Sequence, residues 1–259
     1  MRKRIQAIQN NIPTSTTIVA ASKHATCEQI IEANQYGIKV IEDAAHAIGG
    51  RYQGQPVGAC QYADICVFSF HPVKLMTTGE GGAVTTQSQA LHEKIQALRS
   101  HGVTRNVEDF KNVPDGGWVY EQQALGYNYR ITDFQCALGL SQLDQLDSWI
   151  AYRNTLVGHY TTGLKDLPVV LPFQLPEVAS AWHLYVILLP NAAVRRRVYD
   201  AMRARQIGVQ VHYMPIHTQP YYQRTLSLPL HAKLTGPQQC TVIDALRAVL
   251  VEEGVCEES

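Results

Sequence analysis

The stretch Ala63 to Thr86, ADICVFSFHPVKLMTTGEGGAVTT, constrains this chain more than any other. Its apolar opening is short and rich in β-favouring residues, which predicts a buried strand. Ser69, His71 and Lys74 stand where that strand must end, and a Gly-rich turn leads into a further β-rich run, Gly82 to Thr86. A lysine at a strand end can simply be reaching solvent. It can also present an amine to a bound carbonyl, and the remaining sequence has to separate the two.

Strand and helix signals alternate around this segment. Thr16 to Ser22 (TTIVAAS) and Ile38 to Asp43 (IKVIED) read as strands, with a helix over CEQIIEANQYG between them that stops at Gly37. Continuous apolar strands separated by helices predict an α/β fold with a parallel or mixed sheet covered on both faces. Ligands of such sheets sit at the carboxyl ends of the strands, where Asp43 and Ser69 both fall. A helix capped by Ser88 comes next, then a loop from His101 to Gly126, then a long helix from Thr132 with Leu140, Leu143, Leu146 and Ile150 at helical spacing. Beyond it, AWHLYVILLP and VQVHYMP read as strands, and AVRRRVYDAMRARQIG and QQCTVIDALRAVL as helices. The expected organisation is a larger α/β part over residues 1–148 and a small α+β domain over residues 149–259.

Charge excludes some partners. Lys+Arg and Asp+Glu are both 22, so the formal net charge is zero, which argues against nucleic acid or an anionic membrane as a broad electrostatic partner. No apolar run is long enough to span a bilayer and no hydrophobic stretch follows the basic N-terminal residues, so the expected location is the cytoplasm. The six cysteines are scattered without a C-x-x-C pair and read as reduced thiols, several of them buried.

Lys74 and Asp43 form the most informative pair. Schiff-base enzymes lower a lysine pKa in a partly desolvated cleft, and pyridoxal phosphate (PLP) chemistry also needs an acid against the pyridine nitrogen. His46 either packs on a cofactor ring or is a satisfied core histidine. A zinc site from His46, Cys60, Cys66 and His71 is conceivable, but the spacings match no structural zinc pattern. TTGEGGAV could cradle a phosphate, yet it lacks the P-loop pattern and reads better as a tight turn between strands. Ser69 either donates to a phosphate or merely ends its strand.

VIEDAAHAIGGRYQGQPVG, DICVFSFHPVKLMTTGEGGAVTT and LGYNYRITDFQCALGLSQLDQLD resemble the sugar-nucleotide aminotransferases of the DegT/DnrJ/EryC1/StrS family. SFHPVK, SAWHLYVI and VQVHYMPIHTQPYY are most similar to family members of pseudaminic acid synthesis. The resemblance implies a PLP-dependent transferase of fold type I, aspartate aminotransferase-like, with a partial large domain and a small α+β C-terminal domain. It implies that Lys74 is catalytic and holds PLP, with Asp43 at the pyridinium nitrogen, His46 beside the ring and Ser69 at the phosphate. Asn128 would reach the phosphate of a neighbouring subunit's cofactor, making a homodimer part of the site. Arg130, His212 and His217 would lie toward the substrate. The implied reaction transfers an amino group from L-glutamate to a UDP-linked 4-keto-6-deoxy-hexose, without a metal.

The same resemblance locates departures. Family members carry a further domain's worth of residues before the first strand, including a turn that binds the cofactor phosphate and a ring stacked on PLP. A loop and short helix are also expected between Arg224 and Leu226, and AASKHAT lacks the usual glycine after its strand. The expectation from a different class is therefore a truncated, non-catalytic homologue that acts only as a dimerising partner.

Overall fold

Strand β1 (Ile41–Asp43) pairs in parallel with β4 (Ile65–Ser69) in the computed structural model, which describes residues 39–212 and 225–255. The expected strand at Thr16 to Ser22 and the helix after it lie outside the described residues, as do His217, Cys27 and Cys256. The chain divides into two compact units. One runs to Ile48 and continues over Gln55–Gln142; the other comprises Gly49–Gly54 and the residues from Leu143 onward.

In the first unit β4 is central, flanked by β1 and by β5 (Gly82–Thr85), which pairs antiparallel to it with Ser69 opposite Gly82. The sheet is thus mixed, as the apolar runs predicted. Its burial alternates: Cys66 and Phe68 are buried with Ala44, whereas Ile65, Val67 and Ser69 are half-buried. Coverage of both faces is not seen among the described residues, because Ile41 and Val84 remain 38% and 44% exposed. Four free cysteines are described, and only Cys66 is buried. Burial pushes its thiol up to about 12, with the Glu42 carboxylate beside it acting in the same direction.

Helix α1 (Gln89–Arg99) starts where expected, with the Ser88 hydroxyl accepting from Leu91 N–H at 3.4 Å. The segment after it is not a plain loop. β6 (Val103–Thr104) and β7 (Glu121–Gln122) pair antiparallel, and a 3-10 turn lies at Val107–Asp109. Sequence periodicity could not reveal this because side chains organise it locally: the Glu121 carboxylate accepts from the Lys111 and Asn112 amides at 2.7 and 2.9 Å. Those bonds hold its carboxyl below the usual range.

Helix α2 (Asp133–Leu164) has 32 residues, and its N-terminus is a capping box: Thr132 N–H donates to Gln135 Oε1, and Gln135 N–H to Thr132 Oγ1. Its apolar stripe changes character along its length. Leu140 and Leu143 are exposed, and Leu146 is buried.

The second unit has its own core. β2 (Arg51–Tyr52) pairs antiparallel with β8 (Val178–Ala179), and β9 (Tyr185–Leu188) with β10 (Thr225–Leu228). After Gln53 and Gly54, which both take positive φ, the chain enters the first unit at β3 (Gln55–Pro56). Helices α3 (Ala192–Ala204) and α4 (Gly236–Glu252) are capped by Asn191 and Thr235. Tyr160, Tyr185, Ile187, Val198, Leu226 and Leu246 form the fully buried centre. The expected strand over VQVHYMP is reduced, among the described residues, to one bridge between Gln210 and Ser227. Val211 N–H turns instead to the Gln210 side chain at 3.1 Å, which takes that donor out of any ladder.

Arg153 is buried in this unit, and its Nη1 donates to the carbonyls of Trp182 and Leu230, both at 3.1 Å. Burial lowers its pKa. The Tyr160 hydroxyl donates to Pro229 O at 2.7 Å. Leu246→Ala should therefore destabilise the protein by about 2–5 kcal/mol, and Tyr160→Phe by about 1 kcal/mol. Urea unfolding monitored by circular dichroism measures both. Equal losses would show that the hydroxyl bond matters as much to this core as apolar packing, against the expected order.

Candidate active site

Two register facts bring the candidate groups to one edge. Asp43, the last residue of β1, lies opposite Val67, and Ser69 ends β4 two residues further on. Because the strands are parallel, carboxylate and hydroxyl leave the sheet at the same end. Lys74 sits just beyond Ser69, after a turn closed by Lys74 N–H donating to His71 O at 2.9 Å.

The loop that carries Lys74 is tied at both ends. Phe70 N–H donates to Gly81 O at 2.9 Å, and Phe70 O accepts from Thr78 N–H and from the Thr77 hydroxyl, each at 3.0 Å. Thr78 is buried, and its hydroxyl donates to Glu80 O at 2.7 Å. The start of α2 presses on the same loop. A Cβ on Gly139 would lie 2.9 Å from the Thr78 methyl, and Gln135 Nε2 donates to Glu80 O at 2.9 Å. Gly81 takes φ +151, and a Cβ there would meet the Thr78 hydroxyl at 2.4 Å. The Gly-rich run is therefore the tight return between two strands, as its sequence indicated.

Electrostatics single out the amine. The Lys74 pKa lies below its ordinary value, first because burial disfavours the ammonium, while the Asp43 charge opposes the shift. The Asp43 carboxylate also accepts from Ala45 N–H at 3.1 Å, which fixes its rotamer. The Ser69 hydroxyl accepts weakly from His71 N–H at 3.4 Å. His46 is exposed in the turn Ala44–Ala47, so the core-histidine reading fails. His71 faces Glu80, with Nε2 3.9 Å from the carboxylate, and Cys60 Sγ donates to Thr85 O at 3.3 Å. Among the described residues no group of His, Cys, Asp or Glu is disposed to hold a metal.

The other candidates lie apart in the chain. Asn128 bridges Ser100 through backbone bonds, between Tyr127 and Tyr129, whose rings stack at 4.8 Å. Arg130 comes directly after them and lines a concavity with His101, Arg105 and Tyr120. His212 belongs to the second unit, where its Nδ1 lies 2.9 Å from the Ser227 hydroxyl. Sequence reasoning missed Thr77, Thr78 and Gln135, which hold the lysine loop. It also missed Arg105 and Tyr120, for which the sequence offered no signal.

The residues at the strand edge fit PLP on chemistry alone: a partly desolvated amine for its aldehyde, a carboxylate for its ring nitrogen and a hydroxyl for its phosphate. Comparison with known proteins points the same way. Residues 23–247 match the DegT/DnrJ/EryC1/StrS aminotransferase family. The chain is 32% identical to a UDP-4-amino-4,6-dideoxy-N-acetyl-beta-L-altrosamine transaminase of Campylobacter jejuni, over 99% of this chain and 71% of that protein. It is 34% identical to the spore coat polysaccharide biosynthesis protein SpsC of Bacillus subtilis, over 84% of this chain and 61% of that one. The structure superposes on PseC of Helicobacter pylori, an aminotransferase of pseudaminic acid biosynthesis, with a TM-score of 0.79 and 29% identity, over 95% of this chain and 70% of that chain. The chain thus spans 61% to 71% of the length of these relatives. With a match over most of its length and the fold of these enzymes, the chain belongs to the DegT/DnrJ/EryC1/StrS family of PLP-dependent sugar aminotransferases.

Proposed function

We propose that this chain carries the amine of a PLP-dependent transamination in which L-glutamate is the donor and a UDP-linked 4-keto-6-deoxy-hexose the acceptor. The observation that carries the reading is the convergence of Asp43, Ser69 and a pKa-lowered Lys74 at one edge of the sheet. The likeness to pseudaminic acid pathway enzymes supports the choice of sugar, and these proteins work in nucleotide-sugar synthesis.

Bound PLP supplies an electron sink for the carbon that gains or loses the amino group. Lys74 would hold the cofactor through its amine. Its free Nζ would take the proton from the donor α-carbon and later return it, which requires an amine that is neutral near working pH. Asp43 would keep the ring nitrogen protonated, Ser69 would donate to the phosphate, and His46 would be the group beside the ring. Asn128 would serve the cofactor phosphate of a second copy, and Arg130, His212 and His217 are the candidates for the sugar nucleotide, of which His217 lies outside the described residues. The assembly in this reading is a cytoplasmic homodimer. Exposed apolar side chains near Asn128 in the sequence are consistent with the dimer: Trp118, Leu125, Tyr129 and Phe134 are 75%, 89%, 71% and 91% exposed.

Two measurements test the reading. Adding PLP to the purified chain should produce a visible absorption band that bleaches with L-glutamate and is absent in Lys74→Ala. A band that survives Lys74→Ala, or no band at all, would leave the chain a non-catalytic homologue. The second measurement follows Lys74 itself. Burial disfavours its ammonium, so competitive acylation without PLP should report a pKa below the ordinary 10.5. Asp43→Asn removes the charge that holds the ammonium, so its profile should move to lower pH still. A profile that rises or stays put in Asp43→Asn would disprove the coupling.

A further inference from the structure

Gln135 belongs to two structures at once. Toward its own helix, Oε1 accepts from Thr132 N–H at 2.9 Å and from the Thr132 hydroxyl at 3.0 Å, which is the outer half of the capping box. Toward the loop after β4, Nε2 donates to Glu80 O at 2.9 Å, across 55 positions of sequence. Each partner admits one polarity. The Thr132 amide only donates and the Glu80 carbonyl only accepts, so the side-chain amide cannot turn over without losing both. A glutamate would serve this position of a capping box equally well, and the positive end of the helix would favour its charge. What glutamine adds is a donor, and that donor goes to the lysine loop.

Glu80 O is where the loop closes. It accepts from the Thr78 hydroxyl at 2.7 Å as well as from Gln135, so both its lone pairs are used. Thr78 carries the tie onward, its N–H donating to Phe70 O at the loop's other end. Leu75 and Met76, the two residues after Lys74, are buried, and a Cβ on Gly139 of α2 would lie 3.8 Å from Met76 Cε. Positions 135 and 139 share one face of α2, one turn apart. The helix therefore meets the loop twice, by packing at Gly139 and by a hydrogen bond at Gln135, and Lys74 lies on the stretch that these contacts hold.

We propose that Gln135 is a positioning residue for the Lys74 amine: its bond to Glu80 O holds the loop against α2 and so keeps Nζ in its partly buried place. The inference deepens the transaminase reading and rests on it only for naming Lys74 as the reacting amine. The tie itself belongs to the chain without cofactor.

Gln135→Glu separates the two duties of the side chain. A carboxylate keeps both bonds from Thr132 but has no proton for Glu80 O. Amide hydrogen exchange of the full chain without PLP should show the Phe70 and Thr78 amides, which close the loop, exchanging about fivefold faster than in the wild type, the factor that one hydrogen bond contributes. The amides of α2 should keep their wild-type rates, which also shows that the variant folds. In Gln135→Ala, which loses cap and donor together, the loop and the first turn of α2 should both loosen. Competitive acylation at high salt, which screens the new carboxylate, should then move the Lys74 profile to higher pH in Gln135→Glu, because a loosened loop hydrates the ammonium. Unchanged exchange at Phe70 and Thr78, acceleration confined to α2, or an unchanged Lys74 profile overturns the assignment. A wild type without a Lys74-dependent PLP band removes only the transaminase reading, whereas the band beside an unaltered loop in Gln135→Glu removes only this inference.

Discussion

The parallel pairing of β1 with β4 is the constraint on which the candidate site depends. A parallel ladder sends both chains out of the sheet at the same edge, so the residues that end them meet without any long connection. With Ile41 opposite Ile65 and Asp43 opposite Val67, the acid and the Ser69 hydroxyl leave that edge together. A slip of one residue would turn Cys66 and Phe68 out of the Ala44 cluster and expose them. The register is therefore set by apolar burial, and the polar edge inherits its geometry from the core.

The loop after β4 is short, and its bonding makes it rigid enough to place an amine. Phe70 commits both its backbone groups to the loop's far end, and the two threonines answer with side-chain as well as backbone bonds. The close approach of Gly139 to Thr78 then lets α2 seal the loop from its other side. A bulkier residue at 139 or 81 would have to displace Thr78, and Lys74 sits only four residues before it. The glycines here serve close packing, which explains why a Gly-rich segment is among the better-bonded parts of the first unit.

The sequence was most legible where periodicity and caps agree. Ser88 and Thr132 each stand at a helix start, and the mixed sheet was readable from apolar runs of strand length. It was least legible where side chains bond to nearby backbone. The β6–β7 pairing depends on Glu121 reaching ten residues back, and no hydrophobic pattern records that. Half-burial of the sheet was also invisible, since a continuous apolar run predicts two covered faces whatever happens in the fold. Of the site, the lysine, acid and serine could be named from their place at strand ends. Arg105 and Tyr120 could not, because their meaning lies in a ladder two residues long.

Asp43 and Lys74 illustrate how opposing effects are balanced at such a site. An acid beside an amine ordinarily stabilises the ammonium and so weakens the nucleophile. At 4 Å in water the attraction is only about 1 kcal/mol, and it grows several-fold where water is excluded. Asp43 is exposed while Lys74 is half-buried, so solvent screens the pair more than it hydrates the ammonium. Burial therefore wins, and the amine pKa falls despite the neighbouring charge. Sinking Asp43 deeper beside Lys74 would reverse that order, because the attraction would strengthen with the loss of water. An exposed acid next to a partly buried amine is thus the arrangement that keeps a carboxylate at this edge while the amine pKa stays lowered.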